Sequence, residues 1–277
     1  MSVKSRRSLL FASGVLLAVA AVAVPVVAGT AGTAAADPGA AGSGTQARIV
    51  GGNQASLADH PYAVYLTDAG GNQFCGAVIV SSTSVATAAH CAKAVAKQDI
   101  RVVAGREDKR TSDGQVLGVS KVWVSPSYTD PTKGADVAVL TVRGQLGYRP
   151  AKLPDSGDAG LYAKGTQATV LGWGRIADGG DRSDYLRSAQ VPVVSDSECH
   201  ADYSVYDQRT MVCAGYTEGG IDACQGDSGG PLVVGDTLIG IVSFGDGCAK
   251  ANRPGVYTRV STYAGDIEAQ AKPRLLG

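Results

Sequence analysis

Ser228 lies in the run Asp222-Ala223-Cys224-Gln225-Gly226-Asp227-Ser228-Gly229-Gly230-Pro231, a serine among glycines with one acid directly before it and another six residues upstream. Glycines on both sides would let the backbone N–H groups of Gly226 and Ser228 converge on one point, as an oxyanion hole requires. The short core also fits a plain Gly-Asp-Ser-Gly turn, but a turn leaves Asp222 and Asp227 without a task. A nucleophilic serine needs a base, and the chain has three histidines, His60, His90 and His200. The spacing Gly226-x-Ser228-x-Gly230 also matches the nucleophile elbow, whose histidine follows the serine in the chain; none does here. His60 precedes Pro61 and His200 sits beside Cys199 in a polar stretch, so both read as turn or surface residues. His90 closes the apolar run Ser84-Val85-Ala86-Thr87-Ala88-Ala89 next to Cys91 and is the candidate general base. Asp136 opens Asp136-Val137-Ala138-Val139-Leu140, which puts a carboxylate at the mouth of an apolar strand. There it could fix the imidazole tautomer and stabilise the imidazolium.

The elements that must carry these groups read as short strands. Apolar runs bounded by Gly, Asp and Ser recur at 62–66, 77–80, 85–89, 100–104, 116–124 and 137–142, and again at 167–172, 187–194, 211–214, 231–234, 237–244 and 255–260. Many short strands separated by turn signals predict a closed antiparallel, all-β architecture. The polar, proline-bearing stretch 145–154 is the expected crossing between two halves, about 49–150 and 151–277. Only Thr262 to Lys272 reads as a helix, with Ile267 and Ala271 on one face.

Acids and bases balance at 25 each, which gives no reason to expect nucleic acid or an anionic membrane as partner. Thirty-seven glycines and three phenylalanines suit a turn-rich β protein. At the N-terminus, Lys4, Arg6 and Arg7 precede an apolar run from Leu9 to about Ala28, and Ala34-Ala35-Ala36 offers small residues for cleavage. Residues 1–36 are therefore expected to be a removed signal peptide rather than a membrane anchor, and the protein to be secreted. The Gly/Ala-rich segment 37–48 has little to bury and ends at Arg48, before Ile49. Six cysteines without a Cys-x-x-Cys pair point to a disulfide framework rather than zinc, with fifteen connectivities open on sequence alone. No loop is acid-rich enough to assign a calcium site, and neither metal nor cofactor is expected.

Taken together, these motifs resemble the trypsin-like serine proteases of the chymotrypsin family, in the manner of a bacterial secreted member. Matching segments run from Ile49-Val50-Gly51-Gly52 through Thr87-Ala88-Ala89-His90-Cys91, Asp136-Val137-Ala138-Val139-Leu140 and Gly172-Trp173-Gly174 to the Ser228 run, Val242-Ser243-Phe244-Gly245 and Arg253-Pro254-Gly255-Val256-Tyr257. The chain order His90, Asp136, Ser228 is that family's order. The resemblance implies two antiparallel β-barrels around an interface cleft, with a C-terminal helix. It implies disulfides Cys75 to Cys91, Cys199 to Cys213 and Cys224 to Cys248. It places Asp222 at the base of a substrate pocket with Ser243, Gly245 and Gly255 along its wall, selecting Arg or Lys. Cleavage after Arg48 would free an Ile49 ammonium to pair with Asp227, so the uncleaved chain is expected to leave Asp227 unpaired and the oxyanion loop disordered. Ala223 stands where serine is frequent and should favour Arg over Lys, while Phe244 replaces the usual tryptophan. Protein or peptide substrates and protein inhibitors are the implied partners of a monomer. A catalytically inactive secreted binding protein on the same fold is the alternative, and it would typically lack a triad member.

Overall fold

The structure, a computed structural model, describes residues 49–272. The expected signal peptide (1–36), the activation segment (37–48) and Arg48 itself lie outside the described residues.

Strands β1 (Asn53–Gln54), β2 (Ala63–Thr67), β3 (Gln73–Ser81) and β4 (Ser84–Thr87) lead into helix α1 (Ala89–Ala94), then β5 (Arg101–Ala104), β6 (Gln115–Val124) and β7 (Ala138–Val142) follow. Strands β2, β3, β4, β7, β6 and β5 close into an antiparallel barrel. Their β-branched and apolar residues point inward, and Leu66, Val78, Val85, Val102 and Leu140 are fully buried there. The second half comprises β8 (Gln167–Gly172), β9 (Arg187–Pro192), helix α2 (Asp196–Asp202), β10 (Met211–Ala214), β11 (Pro231–Val234), β12 (Thr237–Phe244), β13 (Gly255–Arg259) and helix α3 (Val260–Ala271). Its seven-stranded sheet runs β1-β9-β8-β11-β12-β13-β10. The bridge between Val193 and Ala214 brings β10 back to the end of β9, so this sheet also curls round on itself.

The crossing segment carries Leu146 and Ala151, both buried in the first core, and Lys152 bridges Thr237 of the second half. Trp173 is 1% exposed, stacks edge-on to Tyr65 at 5.0 Å and donates from Nε1 to the Glu107 carbonyl at 2.9 Å. A buried ring with its N–H satisfied is worth several kcal/mol, about 2–3 from area alone, so Trp173 is a main tie between the halves. Helix α3 buries Val260, Tyr263, Ile267 and Ala271 at helical spacing, and the first three join the first barrel's core. It starts two residues before the sequence expectation.

Two helices differ from the sequence reading. The run expected as strand to Ala89 stops at Thr87, and α1 begins there with no side-chain cap of its own. The His90 N–H donates instead to Asp136 Oδ1 at 2.9 Å, so a carboxylate distant in sequence satisfies one of the helix's free donors. Helix α2 carries a capping box, Ser195 with Glu198, a local signal that was open to the sequence reading. Three disulfides join Cys75 to Cys91, Cys199 to Cys213 and Cys224 to Cys248, over separations of 16, 14 and 24 residues. Loops of this length limit the unfolded chain by about 3 kcal/mol each.

Candidate active site

The cleft between the two halves collects the expected site residues. His90 comes from α1 and Asp136 from just before β7, both in the first half; Ser228 comes from the loop before β11 in the second. Asp136 is 1% exposed and fully engaged. Its Oδ2 accepts from His90 Nδ1 at 2.8 Å and from Ser243 Oγ at 2.6 Å, while Oδ1 takes the His90 amide. Thr258 Oγ1 donates to the Asp136 carbonyl at 2.7 Å, fixing the backbone from the second half. With Nδ1 turned to the carboxylate, His90 keeps Nε2 for the cleft. That nitrogen lies 3.5 Å from Cys91 Sγ, and the same sulfur lies 3.4 Å from the Ser228 carbonyl, so the disulfide borders both residues. Sγ of Cys75 and Cys91 cluster with His90 Nε2 within 4.8 Å, but sulfurs joined to each other are not thiolate metal ligands.

Ser243 makes a contact that the sequence does not announce. It borders the pocket, but its hydroxyl is turned onto Asp136 rather than toward a substrate. The register between β12 and β13 shifts between Val242 and Phe244, leaving Ser243 at the irregularity, and such a bulge re-aims one side chain.

The loop around Ser228 is pinned from both sides. The Gly76 amide of β3 donates to the Ser228 carbonyl at 2.8 Å, and the Gly229 amide donates to the Val242 carbonyl at 2.8 Å. Gly226 has φ +102, a conformation that a side chain would strain, and a Cβ there would sit 3.2 Å from Arg182 Nε. Neither the Gly226 nor the Ser228 N–H has an acceptor among the described residues. Two free amides of this loop are available to a developing negative oxygen.

Asp227 is fully buried, with Oδ1 accepting from the Gly174 amide at 2.7 Å and Oδ2 from the Cys224 amide at 2.9 Å. Backbone amides thus engage both oxygens of the carboxylate. They do not fully offset the lost water: burial pushes the Asp227 carboxyl up to about 6. Ile49 is 1% exposed within the second core and holds φ 37, a strained value for a β-branched residue. Its neighbour Val50 accepts the Asp222 amide at 3.1 Å, linking this segment to the next feature.

A pocket of about 120 Å³ opens beside Ser228, lined by Asp222, Phe244, Gly245 and Gly255 among others. Asp222 is 3% exposed; Oδ2 accepts the Ala249 amide at 3.1 Å, while Oδ1 is buried without a partner among the described residues, as is the Tyr257 hydroxyl. A Cβ on Gly255 would lie 2.8 Å from Asp222 Oδ1, so glycine there keeps the carboxylate reachable. At Gly245 a Cβ would meet only the Gly247 carbonyl at 3.4 Å, so the space requirement is weaker. Burial pushes the Asp222 carboxyl up to about 7. An unpaired oxygen at the end of a narrow pocket is chemically suited to a cation.

Titration of the pocket has a definite sign. Below about 7 the empty carboxyl is largely protonated, whereas a bound guanidinium requires it ionised. Methylguanidinium is therefore expected to bind more tightly as pH rises through 7. Binding should release close to one proton at about pH 6 and almost none at about pH 9, as calorimetry in buffers of different ionisation enthalpy would read. Proton release independent of pH would exclude Asp222 as the receiving group.

The sequence aligns with known proteins over this same region. A model of the trypsin family matches residues 49–267. A trypsin of Saccharopolyspora erythraea is 48% identical over 215 residues, covering 78% of this chain and 94% of the relative. Trypsin 5G1 of Aedes aegypti is 42% identical over 78% of this chain and 82% of its own length. Trypsin-1 of Astacus astacus is 38% identical over 80% of this chain and all of its own length.

Proposed function

Given that this chain belongs to the trypsin family of serine endopeptidases, we propose that it hydrolyses peptide bonds after arginine and lysine, as a secreted enzyme made in an inactive precursor form. The observation that carries the specificity is the unpaired Oδ1 of buried Asp222 in the lining of the pocket beside Ser228. A substrate guanidinium reaching it would regain the charge-assisted hydrogen bond that the empty pocket lacks. Ala223 lines the same pocket and offers no hydroxyl to a shorter-reaching ammonium, which favours arginine over lysine.

In this reading Ser228 Oγ attacks the carbonyl carbon while His90 Nε2 takes its proton. Asp136 holds Nδ1–H and stabilises the imidazolium, with Ser243 and Thr258 keeping the carboxylate in place. The Gly226 and Ser228 amides receive the oxyanion. The carbon–nitrogen bond then breaks, His90 gives its proton to the departing amine, and water attacks the acyl-enzyme by the same steps in reverse.

Activation is read from Ile49. Cleavage after Arg48 would release the strained φ of Ile49 and create an ammonium near Asp227, whose hydrogen-bond partners among the described residues are backbone amides. An opposite charge beside a fully buried carboxylate restores its ionised form and tightens the loop that bears both oxyanion amides. Arg48 also suits the enzyme's own pocket. The secreted protein is expected to begin at Ile49 and to cut a denatured protein into fragments ending in Arg or Lys. An Arg48→Gln variant is expected to stay uncut and at least about a hundredfold slower, several kcal/mol of ion pairing being withheld. N-terminal and fragment mass spectrometry reads both; a fully active, uncut variant would overturn the switch, and fragments ending in aromatic residues would overturn the specificity.

A further inference from the structure

Beyond the oxyanion loop lies a second cavity, of about 390 Å³, lined by three cationic side chains, Arg106, Lys109 and Arg182. No carboxylate lines it among the described residues. Lys109 is partly desolvated, which lowers its affinity for a proton; Asp184 and, more weakly, Asp227 act against that from outside the cavity lining, and Arg182 adds to it. Arg106 lies against the Tyr65 hydroxyl and donates from Nε to the Asp113 carbonyl at 2.8 Å. Three like charges gathered in one concavity cost free energy unless an anion is to be received.

The cavity is wired to the catalytic loop through Gln73. Its Nε2 donates to the Gly226 carbonyl at 3.2 Å, its Oε1 accepts from Lys109 Nζ at 2.8 Å, and its carbonyl accepts from Arg182. The cation pocket with Asp222 and its wall Ser243–Gly245 lie to one side of Ser228. The leaving peptide must therefore depart on the other, over the Cys75–Cys91 disulfide and toward Gln73 at the start of β3. Arg182 stands directly beside Gly226, and an extended residue spans about 3.3 Å, so the chain reaches the cavity within two residues of the scissile bond.

We infer that this cavity is a leaving-side specificity site that takes a carboxylate side chain, Glu or Asp, at the second residue after the scissile bond. The inference rests on the peptidase reading above and narrows its substrates to sequences with a cation before the bond and an anion after it. A carboxylate received among Arg106, Lys109 and Arg182 would also hold Gln73, and through it Gly226, so its presence bears on the oxyanion loop as well as on binding.

The test uses the processed enzyme and fluorescence-quenched peptides with Arg before the bond, differing only in Glu, Gln or Lys at the second leaving position. At low salt kcat/KM is expected to fall in that order, with Glu about tenfold or more above Lys, and the ratio to shrink toward one in about 0.5 M salt. The Glu/Lys ratio should also collapse in Arg106→Gln/Lys109→Gln and fall partway in Arg106→Gln alone. Being measured within each protein, the ratio is insensitive to any general loss of activity. A parent ratio within about twofold of one, or a ratio untouched by both salt and substitution, overturns the site. Failure to cleave any of the three peptides after Arg would overturn the peptidase reading itself, and this site with it.

Discussion

Ser228→Ala is expected to lower kcat/KM toward arginine peptides on the order of a millionfold, leaving only what binding and the two loop amides supply. The size of the loss follows from how the group works as a unit. Removing Oγ leaves His90 and Asp136 in their hydrogen-bonded arrangement, with 2.8 Å between Nδ1 and Oδ2, but without a nucleophile to deprotonate. Folding should be unaffected, because Oγ makes no hydrogen bond among the described residues, whereas the Ser228 carbonyl bond to Gly76 is a backbone contact that alanine keeps. Thermal melting coincident with the parent, alongside lost hydrolysis, would assign the effect to chemistry. Activity within about a hundredfold of the parent would show that another group attacks the carbonyl.

Asp222→Ser should lower kcat/KM for arginine and lysine peptides about a thousandfold or more, the value of a charge pair in a desolvated pocket. Asp222 is 3% exposed and its Oδ1 has no partner among the described residues, so the substrate cation would be its principal compensation. The variant also relieves a carboxyl that burial raises to about 7, so it is expected to be no less stable than the uncleaved parent at neutral pH. In the parent, arginine should exceed lysine, given Ala223. Stopped assays on matched Arg, Lys and Phe peptides measure all of this; an Asp222→Ser enzyme that keeps most of its arginine cleavage would locate the specificity elsewhere.

Much of the site was legible in the chain because its signals are local or ordinal. The glycines around Ser228, the absence of any histidine after it and the apolar run before His90 are properties of the sequence itself. What escaped depends on contacts across the fold. Helix α1 is capped by Asp136, a residue 46 positions away, so the run into Ala89 looked like continuing strand. Ser243 lines the pocket, but its bond to Asp136 escaped, because only the irregular register of β12 turns the hydroxyl that way. Thr258 was missed for the same reason, since its partner is a backbone carbonyl 122 residues earlier. The cationic cavity joins Arg106, Lys109 and Arg182 from segments that carry no shared motif. Helix α2 is different in kind: Ser195 and Glu198 announced it locally, yet the polar stretch was read as surface.

In the proposed function Ser228 is an activated nucleophile set beside a pocket for a cationic side chain. A phosphonate ester bearing an arginine-like guanidinium, incubated with the processed protein and followed by intact-mass and peptide-mapping mass spectrometry, tests that claim in one measurement. A single adduct on Ser228 is expected, formed far faster than with a phenylalanine-like analogue and suppressed by free methylguanidinium. No adduct on the processed protein, or equal labelling by both reagents, would contradict it.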